Sequence, residues 1–363
     1  MTAKYFAPEF RVEVDGARVA ADVTKNITDV SVTLVPDAID SLRLTLANPY
    51  PELRWTHTDD AGLFCEGNGI KVFMGYAGAP LVLMFDGEIT GLSPSFPEGG
   101  SPTMGIEGFN RLHRLQQKQD PITLRDATDG DLVRRIAGAS KLNAKVDDPG
   151  IVHPHLSTGC AAHLQYLLER ARAVRREVWV EGTTLHFATP RATGEPAYTL
   201  VWGRTRDSYT EGSLPLQSFT PTLDTRRQVN TVVVRGQDPL TREVIKGRAG
   251  EGSEGATPGR KQTGGQVRAT AMGGPTELVV VDEPVTSQAE AAARARAIYN
   301  ERSMEFIQGS GSTLGLPGLR SGIVVTLDGL GRFNGNYYVT SSTHTIGSGG
   351  YRTSFSVKKD SVG

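Results

Sequence analysis

His153, His155, Cys160 and His163 fall within eleven residues of the chain, and all four side chains can ligate zinc. A closed tetrahedral centre needs ligand pairs held apart on fixed elements. Here His153-Pro154-His155 reads as a loop, while Cys160 and His163 read as the first turn of a helix. The alternative has the histidines meeting solvent and Cys160 packed as a small apolar residue. The four residues are a candidate cluster only, and no metal or cofactor is assigned.

Other catalytic patterns are absent. No glycine precedes a lysine, which excludes a P-loop, and neither His-Glu-x-x-His nor Gly-x-Ser-x-Gly occurs. Gly329-Leu330-Gly331 lies between strands and opens no helix, unlike a dinucleotide fingerprint. Carboxylates are plentiful, but dispersed surface acids account for them better than a paired acid and base. The expectation is a protein without enzymatic activity and without assigned catalytic residues.

The elements that would carry any site read as β-rich. The chain has 363 residues, a formal net charge of −1 and 42 glycines. Glycine is thus about 12%, against about 7% in average usage, and supplies turns for many short strands. The charge balance gives no basic excess for sequence-specific nucleic-acid binding. Two cysteines, Cys65 and Cys160, cannot build a disulfide framework, which suits assembly in a reducing cytoplasm. No signal peptide and no run long enough to span a bilayer is visible.

Three blocks follow along the chain. Residues 1–115 alternate apolar and polar positions, as in Phe10, Val12 and Val14 before an Asp15-Gly16 turn; Asn48-Pro49-Tyr50-Pro51 interrupts them as a loop. Residues 116–197 read as a small α/β domain. Thr128 or Asp129 caps one helix, and Leu164, Leu167, Leu168, Ala171 and Val174 form the stripe of another. A hairpin then turns at Gly182. Residues 198–363 return to strands, with a flexible Gly/Ser/Thr-rich loop over 247–274 and a long helix near 287–307. That helix opens with a Ser287/Glu290 capping box, ends by Gly309 and is expected outside the second barrel. Arginines in Arg170–Arg176 and Arg294–Arg302 read as solvated helix faces. In the 247–274 loop, Arg248, Arg260, Lys261 and Arg268 stand against Glu251 and Glu254 as a surface able to meet an acidic partner.

The first and third blocks carry one pattern twice. Gly-Ile-x-Val at Gly69 and Gly322 leads to Phe-Asp/Asn-Gly at Phe85–Gly87 and Phe333–Gly335, then to Gly99-Gly100 and Gly349-Gly350. Spacing differs: sixteen residues separate Gly69 from Phe85, eleven separate Gly322 from Phe333. Duplication explains the order and implies two barrels rather than one large sheet; the alternative is that meanders look alike because turns demand glycine.

FDGEITGLSPSF with GIEGFNRLHRL, FTPTLDTRRQVNTVVVRGQDP (Phe219–Pro239) and LPGLRSGIVVTLDGLGRFNGNYYVTSSTHTIGSGGYRTSF together resemble the phage late control protein D family, the hub proteins of contractile-tail baseplates. The same fold forms the N-terminal hub region of type VI secretion spike proteins. The resemblance implies two tail-tube-like β-barrel domains flanking a small α/β domain, assembled as a homotrimer. It implies a symmetry adaptor between a hexameric tail tube and a trimeric spike, lining the central channel, with SPTMG and TSSTHT as small polar lining segments. Implied partners are further copies of the chain, the tail tube protein, a separate spike or needle protein, baseplate wedge proteins and the tape measure C-terminus. The implied location is a virion tail baseplate or injection particle assembled in the bacterial cytoplasm. The alternatives are a tail-tip cell-wall hydrolase and a distal tail adaptor of a non-contractile phage.

Overall fold

The computed structural model describes residues 7–49, 63–117, 120–190, 194–203, 213–237, 241–253, 262–281 and 285–362. Alternation, broken at bulges in β2 and β5, builds the first six long strands: β1 (Pro8–Val14), β2 (Ile27–Leu34), β3 (Ser41–Ala47), β4 (Gly69–Tyr76), β5 (Val82–Ser95) and β6 (Thr103–Asn110). In β2, Val30, Val32 and Leu34 are buried while Ser31 and Thr33 face the other side. The strands pair antiparallel in the order β1-β4-β5-β6-β3-β2. Asp15 and Gly16 both take positive φ, 48° and 81°, in the turn that follows β1.

A mixed unit follows: β7 (Thr123–Thr128), α1 (Asp129–Ala139), β8 (Asn143–Val146), β9 (Val152–Ser157), α2 (His163–Ala173), β10 (Glu177–Glu181) and β11 (Thr184–Ala188). Thr128 caps α1 in a box with Asp131, and Leu132, Val133 and Ile136 bury its inner face. Leu164, Leu167, Ala171 and Val174 bury the stripe of α2, with Leu168 partly covered. Gly182, at φ 57°, turns β10 into β11.

The longer remaining strands are β12 (Tyr198–Val201), β13 (Ser213–Leu223), β14 (Thr231–Gln237), β15 (Val244–Gly250), β16 (Glu277–Val280), β17 (Ile307–Leu314), β18 (Val324–Asp328), β19 (Gly335–Gly347) and β20 (Gly350–Lys359). Helix α3 (Gly264–Met272) precedes β16, and α4 (Gln288–Met304) follows it. Six of these strands pair in the order β12-β18-β19-β20-β17-β13, and β12 pairs with β13 to close the barrel. Strand for strand this is the spatial order of the first barrel, with the members entering in the same chain order. The first strand differs in direction: β1 runs antiparallel to β4, whereas β12 runs parallel to β18. β14, β15, β16 and α4 form a lobe inserted between β13 and β17, with its own core of Val232, Val234, Ile245, Ala295 and Ile298.

Several expectations change. The barrels are not separate sheets: β19 pairs with β2, so one 13-stranded ladder runs through both. Their cores are nonetheless distinct clusters. Within 247–274, Gly264–Met272 is helical, because Thr263 and Gln266 form a capping box. The glycines that read as breakers fit closely there. A Cβ on Gly264 would lie 2.3 Å from Gln228 Oε1, and one on Gly265 would lie 2.8 Å from the Val229 carbonyl oxygen. Residues 254–261 of that stretch, like Tyr50 and Pro51, lie outside the described residues. Ser287 caps α4, but Glu290 accepts from the Thr286 amide and hydroxyl rather than from the cap residue. The helix stops at Met304, Gly309 belongs to β17, and α4 packs on the inserted lobe.

Candidate assembly interface

Within the ladder, eight strands run antiparallel throughout in the order β13-β17-β20-β19-β2-β3-β6-β5. One face of this sheet covers the two barrel cores. The other carries Ser218, Ser312, Ser354, Thr343, Thr33 and Ser41 in one row across six strands. Ser218 and Ser312 hydroxyls lie 2.7 Å apart, and Thr33 and Thr343 hydroxyls 3.1 Å apart. Arg43 and Glu107 form an exposed ion pair on the same face, 2.6 Å apart. Of the segments expected to be small and polar, Thr103, Gly105, Thr343 and Thr345 lie on this face. Met104, Ser342 and His344 are buried on the other, because strand residues alternate sides.

The junction of the barrels is built by the far half of β19. Its near half pairs with β18, and beyond a bulge between Val339 and Ser341 it pairs with β2. The register is Ser342 with Leu34, Thr343 with Thr33, His344 with Val32, Thr345 with Ser31 and Ile346 with Val30. Ile346 and Tyr351, at the tip of the β19–β20 hairpin, are thereby part of the first barrel's core. Burial drives the His344 imidazole down to about 4, the Leu319 carbonyl working against that and Arg320 with it. The neutral ring donates from Nε2 to the Leu319 carbonyl, 3.0 Å away, and Nδ1 faces the Tyr351 and Thr353 hydroxyls at 3.1 Å each. Burial lifts Asp40 to about 6, against the Val35 amide, the Asn110 amide and Arg320. Arg320 itself donates to the Leu83 carbonyl, and the Tyr76 hydroxyl donates to the Gly315 carbonyl at 2.8 Å, both across the junction.

The candidate metal residues do not converge. His153 lies on strand β9 rather than in a loop and is buried beside Asp129 (3.3 Å), Arg170 (2.9 Å) and Glu290 (3.5 Å). Burial pushes the Asp129 carboxyl up, but the bonds from His153 and Arg170 outweigh it and hold the group below its ordinary value. Arg170, read as solvated, is therefore a partly buried partner joining α1, β9 and α2. His155 and Cys160 are exposed, and the buried His163 meets the Asp120 carbonyl at 3.2 Å. Among the described residues no group of three or more His, Cys, Asp or Glu is arranged to hold a metal ion, and no helix is long and apolar enough to cross a membrane.

The chain is similar to solved tail proteins over nearly its whole length. The 43 kDa tail protein of prophage MuSo2 from Shewanella oneidensis superposes with a TM-score of 0.70 at 14% identity, covering 97% of this chain and 98% of that one. A tail protein from Neisseria meningitidis MC58 gives a TM-score of 0.67 at 15% identity, covering 98% and 97%. The E. coli c3393 protein, described as a component of the type VI secretion system, gives 0.55 at 9% identity, covering 95% and 76%. No curated protein matches the chain. The fold is that of these phage tail proteins and of this type VI secretion component. Residues 6–348 match the Alg8 N-terminal domain, and the chain belongs to that family.

Proposed function

We propose that the chain is the central hub of a contractile-tail baseplate or injection particle, in which three copies join a hexameric tail tube to a trimeric spike. One observation carries this reading: two barrels of one strand order sit in one chain, joined edge to edge by β19 and β2. Three such chains present six alike barrels to a sixfold ring while keeping true threefold symmetry for the spike. The hydroxyl-rich face then lines the channel, where small neutral polar side chains give passing cargo little to hold. The role is structural rather than enzymatic. Support for the setting comes from the tail proteins of like fold, from E. coli c3393, described as similar to the T4 tail proteins gp27 and gp5, and from the Francisella PdpA–VgrG complex. Native mass spectrometry of the chain co-expressed with the tube protein of its particle tests the stoichiometry. Three hub copies on six tube copies are expected; equal numbers would refute the adaptor.

A further inference from the structure

The β19–β2 junction has a counterpart in each chain that is left open. Bulges fix the equivalence of the barrels: β5 bulges between Ile89 and Gly91 where β19 bulges between Val339 and Ser341, and β2 bulges between Ile27 and Asp29 where β13 bulges between Leu216 and Ser218. Carried through the registers, Leu92 to Ser95 of β5 and Phe96 just beyond it correspond to Ser342 to Ile346. Phe219 to Leu223 of β13 correspond to Val30 to Leu34. Leu92 to Ser95 and Phe219 to Leu223 lie on the outer edges of the eight-stranded sheet, and no strand among the described residues pairs with them there.

Burial marks them as interrupted contacts. Val30 and Val32 are 0% exposed and Ile346 is 7% exposed, whereas Phe219 and Pro221 are only half-buried and Phe96, counterpart of Ile346, is 51% exposed. The edges run in opposite directions, as an antiparallel seam requires. Building on the hub reading, we propose that β5 of one copy pairs with β13 of the next in the inherited register. Leu92 then meets Leu223, Ser93 meets Thr222, Pro94 meets Pro221, Ser95 meets Thr220 and Phe96 meets Phe219. Ser93–Thr222 and Ser95–Thr220 repeat on the polar face the hydroxyl pairs Thr343–Thr33 and Thr345–Ser31, and Phe96 enters the neighbour's second barrel as Ile346 enters the first.

The copy-to-copy seam is built weaker than the internal one. Pro94 and Pro221 replace His344 and Val32, so the opposed central pair has no N–H to give. Prolines on free edges also discourage unwanted strand addition. Separate chains therefore stay apart until a ring template gathers them.

Cysteine pairs read the register directly, in the full chain with Cys65 and Cys160 changed to serine, both purified and within assembled particles. Ser93 and Thr222 of one chain lie at opposite edges, roughly 30 Å apart along the sheet at about 4.8 Å per strand, so only neighbours can link. On oxidation within assembled particles S93C/T222C is expected to give a covalent three-chain species, and S93C/T220C, two residues out of register, less than a tenth as much. P94V/P221V should lower the dissociation constant of the assembly at least tenfold. Equal or better linking by the shifted pair, with three chains still assembled, overturns the register and leaves the hub reading standing. Three assembled chains with no linking by either pair place the seam elsewhere and overturn the proposal. Chains that stay single both free and in particles overturn the hub reading itself.

Discussion

The first barrel and the second share strand order and the placement of two bulges, yet among the described residues only the second closes on itself. In the second barrel, β12 runs beside both β13 and β18. In the first, β1 runs the other way and does not pair with β2, whose edge takes the far half of β19. The connection between β2 and β3 is also short, while the equivalent connection from β13 to β17 carries the whole inserted lobe. One strand order thus yields a barrel that accepts a neighbour's strand and a barrel that supplies it. The difference teaches that two barrels of one strand order can be complementary partners rather than identical ones.

Breaking the internal junction should cost most. V32P gives β2 the proline that β13 has at Pro221, removing a ladder bond and a buried side chain. It is expected to destabilise by about 3 kcal/mol or more in urea unfolding. A second test separates the barrels by pH. The His344 pKa is lower folded than unfolded, so its contribution is complete above about 6.5 and is lost as pH falls toward about 4. Asp40, raised to about 6, acts oppositely, gaining stability as pH falls through that value. Between pH 7 and pH 4 wild type should therefore lose about 3 kcal/mol relative to H344Q. Next comes the lobe that distinguishes the second barrel. A Cβ on Gly247 would lie 2.0 Å from the Ala291 carbonyl oxygen, so G247A must shift α4 from its sheet. About 2 kcal/mol of destabilisation is expected, with amide-exchange protection falling in β15 and α4 and holding in the first barrel. The smallest effect should be T343V, which deletes one hydroxyl of the pair with Thr33. About 0.5–1 kcal/mol by chemical denaturation is expected, in keeping with one partly exposed hydrogen bond.

Much of this was legible because it is local. Alternation marked the strands, Thr128 marked the start of α1, and the Leu164-to-Val174 stripe marked α2. The repeated meander was visible through its glycines, but the motif alignment is out of step with the fold. Phe85-Asp-Gly and Phe333-Asn-Gly differ in position by 248 residues, whereas the bulges make Ile89 equivalent to Val339, a difference of 250. Glycine records where a turn is needed, whereas the bulge records how strands align. The β2–β19 junction could not be read at all. It joins residues about 310 apart, and alternation alone does not distinguish a strand edge that will be paired from one that will stay open. The Arg170–Asp129–His153 cluster was hidden for a similar reason, since its members come from α2, α1 and β9.

Electron microscopy of intact particles tests the central claim most directly. The account predicts three copies of this chain in one layer between tube and spike, with six alike barrels around the axis and β5 of each copy against β13 of the next. A layer of six copies, or three copies whose two barrels lie at different distances from the axis, would contradict it.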